Sequence, residues 1–325
     1  MFTNTWGNYY YGYDDKADKE SKSARHWTEL LDFYQPDLQA KVTRTITQWN
    51  LVVRDHLRNE TALRLTTGSE TTQIPIKVCD GLPIPLADAL KKYDNIAELL
   101  LNEQAFTHVS NGLKIADDQF EKLRQLLPCD FSKTELERIG SWFEGIVGQL
   151  QKFAIKDELR MLNQDILGAY FFNSPRIEIY WAAIGIYAQL YNISVEGLCL
   201  VTLAHELAHA YTHMGKDIDG ATWKKADFAD ADLPLVEGLA QFYTKTVCEK
   251  LAPRFPGGLE AYRALLETQS PAYTEHENWI RNHPHLKEAV RFCMIQCRSQ
   301  GVKSYGQFQD ILHQVSGLPF SSVQK

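Results

Sequence analysis

Two histidines and a glutamate at fixed spacing carry the most chemistry in this sequence: His205, Glu206 and His209, in the run His205-Glu206-Leu207-Ala208-His209. On a helix the two histidines lie about 40° apart and about 6 Å along the axis, so both imidazoles can bind one Zn2+ at about 2.0–2.1 Å. Glu206 projects to the side of that pair, where a carboxylate can accept a proton from a metal-bound water. The surrounding stretch, VEGLCLVTLAHELAHAYTH from Val195, is strongly apolar and follows Ser194, a residue type that caps helix N-termini. The plain alternative is a histidine-bearing amphipathic helix with no metal. Cys199, about 240° around the helix from His205, reads as core rather than ligand.

A catalytic zinc site takes three protein ligands and keeps one position open for water. His213 continues the same helix but drifts about 80° and about 12 Å from His205, too far unless the helix breaks. The longer HExxHxxGxxH spacing is absent, since Thr212 and Gly215 stand where its Gly and His would be. Asp217 and Asp219 lie in a polar loop and read first as solvated acids. Glu237, in the otherwise apolar LVEGLAQFY, is the strongest candidate, because a carboxylate on the buried face of a helix needs a partner. Gly238 and Ala240 beside it would let the two helices approach closely.

HELAH followed 28 residues after His209 by a Glu in VEGLAQFY resembles the gluzincin group of zinc metallopeptidases. The resemblance covers about Gly168 to Lys250, a quarter of the chain. It implies His205, His209 and Glu237 as ligands of one Zn2+ per chain, and Glu206 as general base toward the metal-bound water and acid toward the leaving amine. It also implies an edge strand that holds the substrate in extended form, a part that Arg176–Trp181 could play. The tetrahedral oxyanion needs a further donor. Tyr243, Tyr273, His276, His283 and His285 are available and no spacing rule selects one; His276 and Tyr243 are carried forward as the catalytic candidates. Asp219 or Asp232 could orient a ligand imidazole.

The rest of the sequence bounds this reading. In 325 residues, 34 Lys and Arg face 41 Asp and Glu, a net charge of −7 with no basic stripe, which argues against nucleic acid as partner. No Lys/Arg-rich run points to a membrane surface. Residues 1–16 carry neither the basic nor the apolar region of a secretory signal, and Gln189 and Asn192 break the least charged stretch, so no membrane segment is expected. Six cysteines without a CxxC pair read as reduced thiols in a cytoplasmic protein.

Helical spacing runs from about Ala24 to His56 with a break at Pro36, then returns at Leu86–Leu101, Asp117–Leu127 and Lys133–Ile155, the last with Ser132 as cap. Thr61–Val78 reads as a hairpin turning at Gly68-Ser69-Glu70, with Pro75 at an edge. Ile166–Phe172 and Arg176–Trp181 read as strands around Asn173-Ser174-Pro175. Helices follow from Ser194, from Leu233 with Asp232 as cap, and at Gly258–Thr268, Leu286–Arg298 and Tyr305–Val315. The expected fold is α+β, helix-dominated, with a zincin-like catalytic region holding a small sheet and the active-site helix. The expected division is a flexible arm at 1–23, a mainly helical accessory lobe with a hairpin at 24–131, and a metallopeptidase domain at 132–325. The expected function is zinc-dependent hydrolysis of peptide bonds in a protein or peptide substrate. A lobe that restricts access predicts weak cleavage of casein-type substrates. Two alternatives stand beside it: a zincin-fold binding or regulatory protein with a non-catalytic zinc site, and a zinc hydrolase of non-peptide amides. Oligomeric state is not written in the sequence.

Overall fold

The computed structural model describes residues 21–65, 74–102, 166–279 and 285–316, with isolated positions between 119 and 162. Helix α1 (Lys22–Tyr34) and helix α2 (Leu38–Thr61) flank Pro36, where a helix interior would lose a hydrogen bond. Strand β1 (Ile76–Cys79) leads into α3 (Ile84–Leu90), a 3₁₀ turn (Lys91–Ile96) and α4 (Ala97–Leu101). The hairpin β2 (Gly168–Phe171) and β3 (Arg176–Tyr180) precedes α5 (Trp181–Tyr191) and α6 (Val195–Met214). After α7 (Lys225–Ala229) come α8 (Leu233–Leu251), α9 (Pro256–Leu266), α10 (Pro271–Thr274) with a 3₁₀ turn (Glu275–Asn278), α11 (Leu286–Gln300) and α12 (Tyr305–Ser316). The fold is helix-dominated α+β, as the sequence implied. The helical patterns at 117–127 and 133–155 fall almost wholly outside the described residues, as do the cap at Ser132 and the arm before residue 21.

Helix α6 is the centre of the molecule. Every residue from Gly197 to His213 is buried, which suits a helix that is apolar on all sides. Ser194 caps it as expected, its Oγ accepting from Gly197 N at 3.1 Å. Around α6 pack α2, α8, α9, α5 and the sheet. Two glycines set one of these crossings: a Cβ on Gly197 would lie 2.4 Å from the Gly257 carbonyl, and one on Gly258 would lie 2.4 Å from Leu200. Asp232 stands at the N-cap position of α8 but makes no side-chain cap bond, its Oδ2 instead accepting from Tyr305 N at 2.9 Å.

The three-stranded sheet runs β1-β3-β2, with β1 parallel and β2 antiparallel to β3. This arrangement bears on the expectations for these segments. Within the run expected as a hairpin, β1 pairs in parallel with β3 and Arg64 forms an isolated bridge with Lys216, while the expected turn at 68–70 lies outside the described residues. Arg176–Tyr180, expected at an edge, is the central strand, bonded on both sides, and among the described residues the edge strand beside α6 is β2. Of the described N-terminal elements, α2 packs on α6 and β1 completes the sheet.

Gly168 is where β2 crosses α6. A Cβ there would stand 2.7 Å from Thr202 Cγ2, 3.0 Å from Glu206 Cγ and 3.2 Å from the Glu178 carbonyl. Gly168→Val is therefore expected to cost about 1–3 kcal/mol in stability through overpacking, read by urea denaturation. An unchanged midpoint would show that β2 has room to lift away from α6.

Candidate metal centre

Helix periodicity places His205 and His209 on one face of α6, and both rings are buried, perpendicular, with centroids 4.6 Å apart. Helix α8 lies against that face and brings Glu237, fully buried, to the pair. The Nε2 atoms of the two histidines are 3.0 Å apart. Glu237 Oε2 lies 3.1 Å from His205 Nε2 and 3.5 Å from His209 Nε2. Donor atoms sharing one tetrahedral ion at about 2.0–2.1 Å are separated by roughly 3.3 Å, so these three atoms form one face of such a polyhedron.

The donor chemistry fits a cation as well as the distances do. Two imidazole nitrogens and a carboxylate oxygen converge, and one shared proton cannot satisfy all three lone pairs. Glu237 Oε1 is also buried with no hydrogen-bond partner among the described residues. Burial alone would raise the Glu237 carboxyl, but facing His209 and His205 outweighs it and holds the group below the usual carboxylate range. His205, His209 and Glu237 thus form a cluster that could hold a metal ion, and it is the one such cluster among the described residues. A set of two imidazoles and a carboxylate suits a divalent transition ion.

Beside the cluster opens a cleft of about 70 Å³, lined by His205, Glu206, Gly168 and Tyr273 among others. Glu206 follows His205 on α6 and lines this space rather than joining the His205, His209 and Glu237 cluster. The Tyr273 ring, carried in by α10, is nearly parallel to that of His205 at 6.1 Å.

The other candidates from the sequence lie elsewhere. Tyr243 is buried on α8 with its hydroxyl 3.7 Å from Met294 Sδ on α11, away from the cleft. His276 is buried with Nε2 2.6 Å from Tyr262 Oη and Nδ1 3.1 Å from the Tyr273 carbonyl, so both ring nitrogens serve the fold. Asp217 Oδ1 accepts from the backbone of Asp219 and Ala221 within its own loop, Asp219 is exposed, and Asp232 holds Tyr305. None of these three orients a ligand imidazole. Gly238 makes room for Trp279, whose Cζ2 would lie 2.6 Å from an added Cβ, rather than for α6. His285 starts α11, and His283 lies outside the described residues. Sequence reasoning names Tyr273 without choosing it. The signal that could have chosen it is Pro271 two residues before, which opens a short helical turn against α8.

His213 is structural. Its Nδ1 is 2.9 Å from Tyr170 Oη and its ring stacks on Phe228 at 4.5 Å. Burial, then Arg298 and Lys225, push its pKa down to about 4. A histidine lowered in the folded state stays neutral there while the unfolded chain takes up its proton near pH 6.5. Stability is therefore full above about 6.5 and falls as pH drops toward 4, by up to about 3 kcal/mol. Urea melts at pH 7 and pH 5 should show this loss, and His213→Gln should diminish it. An identical pH slope in the variant would assign the acid sensitivity to other groups.

Comparison with protein-family models, curated proteins and solved structures finds no match to this chain. The five described cysteines, Cys79, Cys199, Cys248, Cys293 and Cys297, are buried. No helix among the described residues is long and apolar enough to cross a membrane.

Proposed function

We propose that this chain is a zinc-dependent metallopeptidase of gluzincin type, with His205, His209 and Glu237 as the ligands of one Zn2+. One observation carries the reading. The two HExxH imidazoles and a glutamate 28 residues downstream converge within 3.0–3.5 Å, while Glu206 faces an open cleft beside them. Zinc bound there supplies Lewis acidity, bringing the pKa of a coordinated water toward 7 and polarising a carbonyl.

The chain's own residues supply the rest. Glu206 receives the proton of the attacking water on a carboxylate oxygen and returns it to the leaving amine. Its burial at the foot of the cleft limits competing contact with bulk water. Strand β2 pairs on one side only among the described residues, so its outer edge can take an extended peptide by strand addition. Tyr273, on the wall of the cleft beside His205, takes the oxyanion-donor part in place of His276 and Tyr243. Because α2 packs on α6 and β1 completes the sheet, these two elements support the site.

A quenched-fluorescent peptide library incubated with zinc-loaded protein tests the proposal. Cleavage that stops with 1,10-phenanthroline and returns with added zinc is expected. Peptides left intact while small non-peptide amides are hydrolysed would move the assignment to that class. No hydrolysis of either by a zinc-loaded protein would leave a non-catalytic metal site.

A further inference from the structure

Near Glu206 the cleft contains polar atoms that the fold does not use. Thr202 stands one turn before Glu206 on α6, Gln241 one turn after Glu237 on α8, and Ser270 just before α10; all three line the cleft. Thr202 Oγ1, Gln241 Oε1 and Ser270 Oγ are buried and have no hydrogen-bond partner among the described residues. Thr202 and Gln241 are only 4% and 3% exposed, so bulk water does not readily serve them. A buried donor or acceptor left unmet is costly, which makes three around one cleft a demand for a ligand.

Each of the three departs from what its residue type usually does. Thr212, Thr244 and Thr246 on the same two helices donate back to the carbonyl one turn earlier, at 3.0, 2.7 and 3.0 Å. Thr202 makes no such bond, and its methyl faces β2 where Gly168 leaves space. Ser270 occupies the N-cap position of α10 without a side-chain cap bond. Gln241 Nε2 donates to Gln269 Oε1 at 2.9 Å, which fixes the carboxamide with its own oxygen uncommitted.

The chemistry of these atoms narrows the ligand. Both hydroxyls can donate or accept, and the Gln241 oxygen accepts. Among the described residues no lysine or arginine lines the cleft and Glu206 is its one acidic side chain, so a carboxylate would enter without a counter-charge from them. A carboxamide supplies the N–H that Gln241 Oε1 needs and a carbonyl for either hydroxyl. It would serve equally if the Gln241–Gln269 pair were turned end for end. Val201 and Leu265 provide apolar wall for a methylene stem.

Resting on the reading of the cleft as a peptide-binding site, we infer that Thr202, Gln241 and Ser270 form a specificity pocket for an uncharged carboxamide side chain, glutamine or asparagine, close to the scissile bond. The pocket shares two helices with the metal cluster, so it selects the residue without contributing to the ligand set.

Equilibrium binding separates this pocket from catalysis. Fluorescein-labelled peptides, alike except for Gln, Asn, Leu, Glu or Lys at one position in turn, are titrated with Glu206→Gln protein, with and without added zinc. At one position Gln or Asn should bind about 10- to 100-fold more tightly than Leu. In the same background, Gln241→Leu and Thr202→Val should each reduce that ratio below about threefold, with thermal melts showing both variants folded. Equal binding of Gln and Leu at every position, preference for Lys or Glu, a Gln preference intact in both variants, or no peptide binding at all overturns the pocket. Cleavage by the wild type is read separately. Gln-selective binding without any cleavage keeps the pocket and removes the peptidase, whereas cleavage without selectivity does the reverse.

Discussion

Glu206→Gln is expected to lower peptide hydrolysis by about 10²- to 10⁴-fold while zinc binding stays at one ion per chain. The magnitude is that of a general base removed from a reaction that needs one, about 3–5 kcal/mol in the barrier. The substitution is nearly isosteric, which matters because Glu206 is buried with its Cγ facing Gly168. Packing is kept and only the ability to take a proton is lost. The loss should fall on kcat with KM little changed, because substrate contacts along β2 and in the cleft remain. Steady-state kinetics on a cleavable library peptide, with zinc content measured on the same sample, decides it. Activity within threefold of wild type would show that the base is another group. Parallel loss of zinc would make Glu206 part of the ligand set.

Glu237→Ala should produce the second large effect, on the metal itself. Losing a partner that merely orients a ligand costs 10- to 100-fold in metal affinity, so losing one of three ligands should cost at least about 100-fold. For the wild type, zinc at 100 times its Kd adds about 2.7 kcal/mol of stability, which corresponds to a rise in Tm of roughly 4 °C for a chain of this size. In Glu237→Ala the rise should largely vanish at the same zinc concentration. Glu237→Gln, which keeps the side-chain volume, should behave like the alanine variant and guards against a packing effect. Full zinc-dependent stabilisation in both variants would place the third ligand outside α8.

The features that depend on short spacing can be read directly from the sequence. His205 and His209 face the same way because one turn of helix makes them do so, and the Asn173-Ser174-Pro175 turn pairs β2 with β3 by local geometry alone. Glu237 is legible because a carboxylate buried in an apolar helix must be paired, and a cation is the pairing that also suits two nearby imidazoles. What escapes is long-range. Thr61–Val78 offers a turn with extended runs on either side, yet β1 pairs with a strand about a hundred residues away, and no local signal names that partner. The α2 periodicity shows an apolar face but does not name α6 as the helix that covers it. His276 and Tyr243 have suitable chemistry, but neighbours on α9 and α11 already engage it. Thr202 and Gln241 are invisible for a related reason. A threonine that does not bond back along its helix is recognised only by comparison with those that do.

X-ray absorption at the zinc edge, on wild-type protein loaded with one equivalent of zinc, tests the metal centre most directly. Two imidazoles from His205 and His209, a carboxylate oxygen from Glu237 and one solvent oxygen predict four nitrogen or oxygen neighbours at about 2.0–2.1 Å, with the outer-shell scattering of two imidazole rings. A sulfur shell at about 2.3 Å, or scattering from fewer than two imidazoles, would contradict the site at His205, His209 and Glu237 and the hydrolytic function built on it.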